Sequence, residues 1–273
     1  MLRKPWFPYD FPTNNMAKIY AIISGKGGAG KTTTAINIGT SLNKLGEDVI
    51  IIDGNLTTPN IGISLGAPIV PVTLNHVLNN QAKIEEAIYE HESGTKIIPA
   101  SLSLKESERI NYKRFPEITK RLKKMTNHIL IDSAAGLGEE ARSAISACDE
   151  LIIVTNPEMP AVTDALKTIK LAEEMNKPVV GVIITRCCGN KTEMSIQNIK
   201  EMLEVPILGI IPEDIAIKES QVLKNSVIHT HPRSKAAKSY IKTSKRLLGD
   251  DVRFDNPDAT GILGRILKSI GIR

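Results

Sequence analysis

Gly25-Lys26-Gly27-Gly28-Ala29-Gly30-Lys31-Thr32 satisfies G-x-x-x-x-G-K-[ST] at every fixed position. Residues of these types at this spacing bind phosphate. The glycines let successive backbone N–H groups turn inward around phosphate oxygens. Lys31 brings a positive charge to the β- and γ-phosphates, and the Thr32 hydroxyl can ligate Mg²⁺. Thr33 is placed for an α-phosphate contact. The alternative, a Gly-rich turn without a ligand, is disfavoured by the length of the motif and by its setting. Lys26 is a second lysine with no necessary task on its own loop's nucleotide.

The setting is a strand followed by a helix. Tyr20–Ser24 reads as a buried strand, and a helix is predicted from Lys31 to about Leu45, stopped by Gly46. Further strand-like runs lie at Val49–Asp53, Lys96–Pro99, His128–Asp132, Leu151–Thr155, Val179–Thr185 and Ile207–Ile211, with helices predicted at Ala161–Met175, Lys191–Leu203 and Ser234–Leu248. Short apolar strands alternating with helices predict an α/β fold: one domain with a mostly parallel sheet covered by helices on both faces. Asp53 and Asp132 each end a strand near the loop. Carboxylates there can hold Mg²⁺ through its water shell; helix capping or salt bridging is the alternative.

With 273 residues, 41% hydrophobic and 24% charged, the chain fits one large domain and excludes dominant disorder. No apolar run is long enough for a membrane-spanning helix. The net charge of +5 is too small to argue nucleic-acid binding alone. Three cysteines without a secretory signal fit a reducing cytoplasm, and Cys187-Cys188 reads as a strand end rather than a metal pair. Residues 1–15, rich in proline and aromatics, read as a flexible extension or, alternatively, an aromatic contact motif. Residues 249–260 read as an acidic linker. In the terminal segment 261–273, Ile262, Leu263, Ile266, Leu267 and Ile270 fall on one helical stripe, with Arg265 and Lys268 opposite. An apolar stripe with basic residues behind it predicts an amphipathic helix on an anionic membrane surface; docking on its own domain is the alternative.

Several motifs together resemble a known family. Lys26–Thr32 fits K-G-G-x-G-K-[ST], Asp53–Asn60 resembles a switch I, and Ile131–Gly136 a switch II; Thr155–Glu158 and Ile211–Asp214 match further signatures. Over residues 16–248 the chain resembles the MinD/ParA family of deviant Walker A P-loop ATPases, and within it the archaeal MinD-like branch; segment 261–273 also resembles the C-terminal membrane-targeting sequence of MinD. The resemblance implies ATP and Mg²⁺ as cofactors and a homodimer that sandwiches two nucleotides. It implies that Lys26 crosses the interface to stabilise the transferring phosphoryl group. Gly25–Thr33 would hold the phosphates, Thr185, Arg186, Pro212 and Asp214 would surround the adenine, and Thr32, Asp53 and Asp132 would hold the metal. Lys26, Asn55 and Asp132 would form the catalytic set. Asn55 departs from the family's usual second aspartate, so it can bond water without accepting its proton, and slow hydrolysis is expected. No CxxC is present, which argues against cluster-carrying relatives. The resemblance further implies a cytoplasmic protein, peripheral on the inner face of the cell membrane, that positions cellular components with a cargo or activating protein. A ParA-like DNA-binding ATPase is the alternative, resting on Arg109, Lys113, Arg114, Lys120, Arg121, Lys123 and Lys124 and on the lysine stripe 235–245. A metabolic P-loop ligase would need a substrate pocket that the sequence does not identify.

Overall fold

The computed structural model describes residues 17–108 and 110–252. The predicted extension 1–15, Arg109, most of the acidic linker and the amphipathic tail lie outside the described residues.

Eight strands form one sheet: β1 (Lys18–Ile23), β2 (Val49–Gly54), β3 (Tyr89–Glu90), β4 (Lys96–Ile98), β5 (His128–Ser133), β6 (Glu150–Thr155), β7 (Val179–Cys187) and β8 (Ile207–Pro212). Their spatial order is β3-β4-β2-β5-β1-β6-β7-β8. Every pairing is parallel except that of β3 with β4. Seven of the strands correspond to the predicted runs. The short β3 carries no alternation and was not anticipated.

The strands read as unbroken apolar runs because both faces of the sheet are covered. On one face Tyr20, Ile22 and Ile51 pack with Ile38 and Leu42 of the helix Lys31–Lys44 and with Tyr240 of the helix Lys235–Leu247. On the other, Ala21, Ile23 and Ile52 pack with Phe115, Ile145, Val162 and Leu203 from the helices Phe115–Leu122, Glu139–Ala147, Met159–Glu174 and Ile196–Leu203. The predicted helix at Lys191–Leu203 begins only at Ile196, where the Ser195 side chain caps it by accepting from the Asn198 amide.

The chain leaves β1 for β2 on one side of the sheet and later fills β6 on the other. A crevice therefore opens at the carboxyl ends of the central strands. The segments after β1, β2, β5 and β7 all open there.

Candidate functional site

The helix Lys31–Lys44 starts without a side-chain cap and without an acidic residue in its first turn. Its leading amides and its positive end are left for a ligand. Gly30, just before it, has φ +94, a left-handed conformation that turns the loop into the helix. Gly25 serves a different need: a Cβ there would lie 2.6 Å from the carbonyl oxygen of Asp164, so only glycine lets the loop cross the helix Met159–Glu174.

Lys31 is buried, and its Nζ donates to Ser24 Oγ at 3.0 Å. Ser24 Oγ in turn donates to the Lys26 carbonyl at 2.7 Å, so one short network holds both ends of the loop. Burial lowers the Lys31 pKa, and the nearby Asp132 opposes that shift. Thr32 Oγ1 donates to Asp132 Oδ2 at 2.6 Å, across 100 residues of sequence.

The parallel register of β2 and β5 sets Asp53 directly beside Asp132, and both are fully buried. Burial pushes the Asp132 carboxyl up to about 6, against the pull of Thr32 and Lys31. Asp53 is raised well above the ordinary range by burial first and then by Asp132. Their partners differ. Asp53 accepts from the backbone amides of Asn55, Asn60 and Ile61, at 3.3, 2.9 and 2.9 Å, and so closes the switch I loop on itself. Asp132 Oδ1 is buried with no hydrogen-bond partner. A buried, unpaired carboxylate oxygen beside a hydroxyl and a second carboxylate fits a Mg²⁺ site: the cation would neutralise charge that burial penalises. Thr32 and Asp132 would hold the ion, with Asp53 behind them.

A cavity of about 400 Å³ lies over the loop, lined among others by Gly27, Gly28, Gly30, Lys31, Thr32, Thr33, Asn55, Ser133 and Arg186, with the Asp53 and Asp132 carboxylates buried beneath it. A smaller one of about 110 Å³ adjoins at Gly30 and Thr33 and is lined by Thr185, Arg186, Ile211, Glu213 and Asp214. The predicted adenine residues thus gather beside the phosphate loop, with uneven freedom. Thr185 Oγ1 donates to the Ala29 carbonyl at 2.7 Å and tethers the loop to β7. Arg186 is exposed at φ +57, a strained conformation for arginine, on the rim of both cavities. Pro212 ends β8 between two lining residues. The Asp214 carboxylate is already engaged, accepting from the Ala216 and Ala236 amides at 3.0 Å each and so fastening the starts of two helices.

Lys26 is exposed and makes no ion pair among the described residues. Asn55 closes on its own loop: Nδ2 donates to the Thr58 carbonyl at 2.6 Å, and Oδ1 accepts from Thr58 Oγ1 at 3.0 Å. Several contributors carried no motif. Ser24 precedes the loop, Gln221 Nε2 donates to Thr33 Oγ1 at 3.2 Å, and Glu140 accepts from Thr57 of switch I and from Tyr112. Cys187 is buried while Cys188 is exposed, so only the first belongs to an apolar strand end. Among the described residues, no cluster of three or more His, Cys, Asp or Glu side chains could hold a metal ion.

The basic run is partly spent on the fold. Arg114 donates to the carbonyls of Val77 and Leu78, Arg121 pairs with Glu85, and Lys123 with Asp149. This weakens the DNA-binding alternative.

An uncapped helix behind a Gly-rich loop, a buried loop lysine and paired strand-end carboxylates define a P-loop nucleoside triphosphatase. The profile of the family described as ParA, "NUBPL iron-transfer P-loop NTPase", matches residues 15–248. An uncharacterized ATP-binding protein of Methanocaldococcus jannaschii is 36% identical over 234 residues, covering 86% of this chain and 89% of that protein. The septum site-determining protein MinD of Pyrococcus horikoshii, solved with Mg-ADP, superposes with a TM-score of 0.82 at 32% identity, over 87% of this chain and all of that one. MinD in the MinC:MinD cell division complex of Aquifex aeolicus gives a TM-score of 0.79 at 30% identity, over 87% and 98%. The chain belongs to the ParA family of P-loop ATPases, and its relatives include the MinD septum site-determining proteins.

Proposed function

We propose that the chain is a Mg²⁺-dependent ATPase of the MinD type, which dimerises around bound ATP and settles on an anionic membrane surface to position other components. The observation that carries this reading is the joined set of Lys31, Thr32 and Asp132 at the uncapped start of the helix Lys31–Lys44. In it, Lys31 is held by Ser24 at the head of the loop, where it would reach the β- and γ-phosphates, Thr32 donates its hydroxyl to Asp132, and Asp132 keeps one oxygen unpaired. Bound Mg²⁺ would supply charge neutralisation between phosphate oxygens.

The solvent-facing Lys26 fits a role in trans, against the nucleotide of a second copy. Thr185, Arg186, Pro212 and Asp214 make up the base side, with Asp214 acting through the helix starts that it caps. Asn55 can orient a water but cannot take its proton, so turnover is slow. The tail residues Ile262, Leu263, Arg265, Ile266, Leu267, Lys268 and Ile270 form the membrane contact at the cytoplasmic face. Partner chemistry of the kind in the MinC:MinD complex is the model for an activating or cargo protein.

Titration calorimetry with ATP–Mg²⁺ tests the core of the reading. Lys31→Ala should weaken binding by roughly 100-fold or more, the scale of a lost charge-assisted contact. Equal affinity in wild type and variant would overturn the assignment of the phosphate site.

A further inference from the structure

A second cavity, of about 650 Å³, lies away from the nucleotide site, at the open edge of the sheet. β8 is the last strand in the order, so among the described residues its outer edge has no strand partner. The groove runs between that edge and the helix Ile196–Leu203. Its walls are Ile196, Val205, Pro206, Ile207 and Ile210, with Lys200 and Glu204 at the rim. Four of these apolar residues are only half-buried, and Pro206 is exposed. Nothing in the nucleotide site uses this groove.

The described chain ends beside the same strand. The Arg246 guanidinium donates to the Leu208 carbonyl of β8 at 2.9 Å and to the Val252 carbonyl at 2.7 Å. Val252 is therefore held one side chain away from the edge strand. From there, residues 253–260 can span about 26 Å when extended, at ~3.3 Å per residue. That reaches round one strand edge to the opposite face of the sheet. The next segment, 261–273, carries five apolar residues on one helical stripe and would be about 20 Å long as a helix. An apolar groove, an apolar stripe and a tether that joins them over a short distance all belong to the same molecule. At such tether lengths the local concentration of the tail is of millimolar order, enough to occupy a weak site.

We propose that segment 261–273 docks in the groove formed by Ile196, Val205, Pro206, Ile207 and Ile210 while the protein is off the membrane, and that this docking competes with lipid. The inference rests on the tail being the membrane anchor, as read above. Self-docking shields the apolar stripe in solution and sets a threshold that one tail crosses poorly. Two tails on an ATP-bound dimer cross it together, because the second insertion is intramolecular. ATP control of membrane binding then has a second component besides avidity, namely the release of each tail from its own domain.

Hydrogen–deuterium exchange on the full-length protein with ADP, without lipid, tests docking directly. Residues 261–273 should exchange roughly 3- to 10-fold more slowly in wild type than in the double variant Ile196→Lys/Val205→Lys, at a rate independent of protein concentration. Circular dichroism and ATP affinity of that variant should match wild type, since both positions are half-buried and far from the nucleotide; Lys200→Glu/Pro206→Lys, at exposed positions, provides a second test should the first variant misfold. On vesicles of phosphatidylglycerol and phosphatidylcholine with ADP, the groove variant should bind about 3- to 10-fold more tightly than wild type. Three results would overturn the proposal: an unprotected tail in wild type, protection unchanged in both groove variants, or protection that grows with concentration, which would make the groove a contact between copies. If docking is seen but neither protein binds vesicles in ATP, the membrane reading fails instead and the groove stands as a fold contact.

Discussion

Lys31 and Lys26 sit five residues apart with the same charge and opposite surroundings. Lys31 is buried on Ser24, whereas Lys26 faces solvent. If Lys26 acts on a second copy's nucleotide, Lys26→Ala should bind ATP as wild type does but turn it over at least about 100-fold more slowly, the scale of one lost transition-state donor. Light scattering with a non-hydrolysable analogue should give a dimer for wild type; a monomer at saturation would count against a role in trans. Asn55 offers the opposite experiment. Its amide closes the loop on Thr58 and supplies no base. If Asn55 orients the attacking water, as proposed above, Asn55→Asp adds a carboxylate there, and turnover at saturating ATP should rise, by up to about 100-fold. Equal or slower turnover with intact binding would mean that this loop works through its asparagine geometry.

Elements meet through a few side chains whose titration is measurable. His128 opens β5, stacks on Tyr20 of β1 with ring centroids 6.2 Å apart, and approaches Glu47 at 3.3 Å. Burial lowers its pKa below the usual histidine value, only partly offset by Glu47. Below about pH 6.5 the unfolded chain therefore binds more protons at this position than the native one, and the stability present above that pH is lost as pH falls. The buried Asp53 and Asp132 carboxyls, raised by burial, act in the opposite sense in both proteins, so the difference carries the test: the urea midpoint of wild type should fall relative to that of His128→Phe between pH 7.5 and 5.5. An identical pH slope in the two proteins would show that this strand junction does not titrate. The switch elements are also joined away from the nucleotide: Glu140, on the helix after switch II, accepts from Thr57 of switch I.

At the scale of the whole molecule, the domain presents a nucleotide crevice at one end of the sheet and an open edge at β8, where the described chain ends. Among the described residues no helix is long and apolar enough to cross a membrane. On the reading proposed above, membrane binding belongs to segment 261–273 and depends on ATP through dimerisation. Ile266→Glu or Leu267→Glu places a charge in the apolar stripe and should abolish ATP-dependent sedimentation with anionic vesicles while leaving ATP affinity unchanged. Raised salt should weaken wild-type binding by screening Arg265 and Lys268. Sedimentation of a chain ending at Thr260 with vesicles in ATP would remove the tail as the anchor.

What the sequence determined by itself was local. Eight consecutive residues announce the phosphate loop, because its glycines and helix start are local backbone features, although Thr185 of β7 and the helix Met159–Glu174 fix it in place. The strands were legible for a related reason: burial on both faces forces unbroken apolar runs such as Val49–Ile52. The tertiary structure alone decided which distant groups meet. Asp53 lies beside Asp132 because β2 pairs with β5 and not with β1, an order that no segment encodes locally. The same strand order lets Thr32 reach Asp132, and helix packing turns Gln221 toward Thr33 across 188 residues. Asp214, expected beside the adenine by resemblance, lines the smaller cavity, and only the packed fold shows that its oxygens also accept from two helix starts. The short helices and the two-residue β3 escaped notice because a single turn has too few residues to show a period. A motif records the chemistry a segment can do, whereas buried hydrogen bonds are settled by whichever partners the packed sheet brings within about 3 Å of each other.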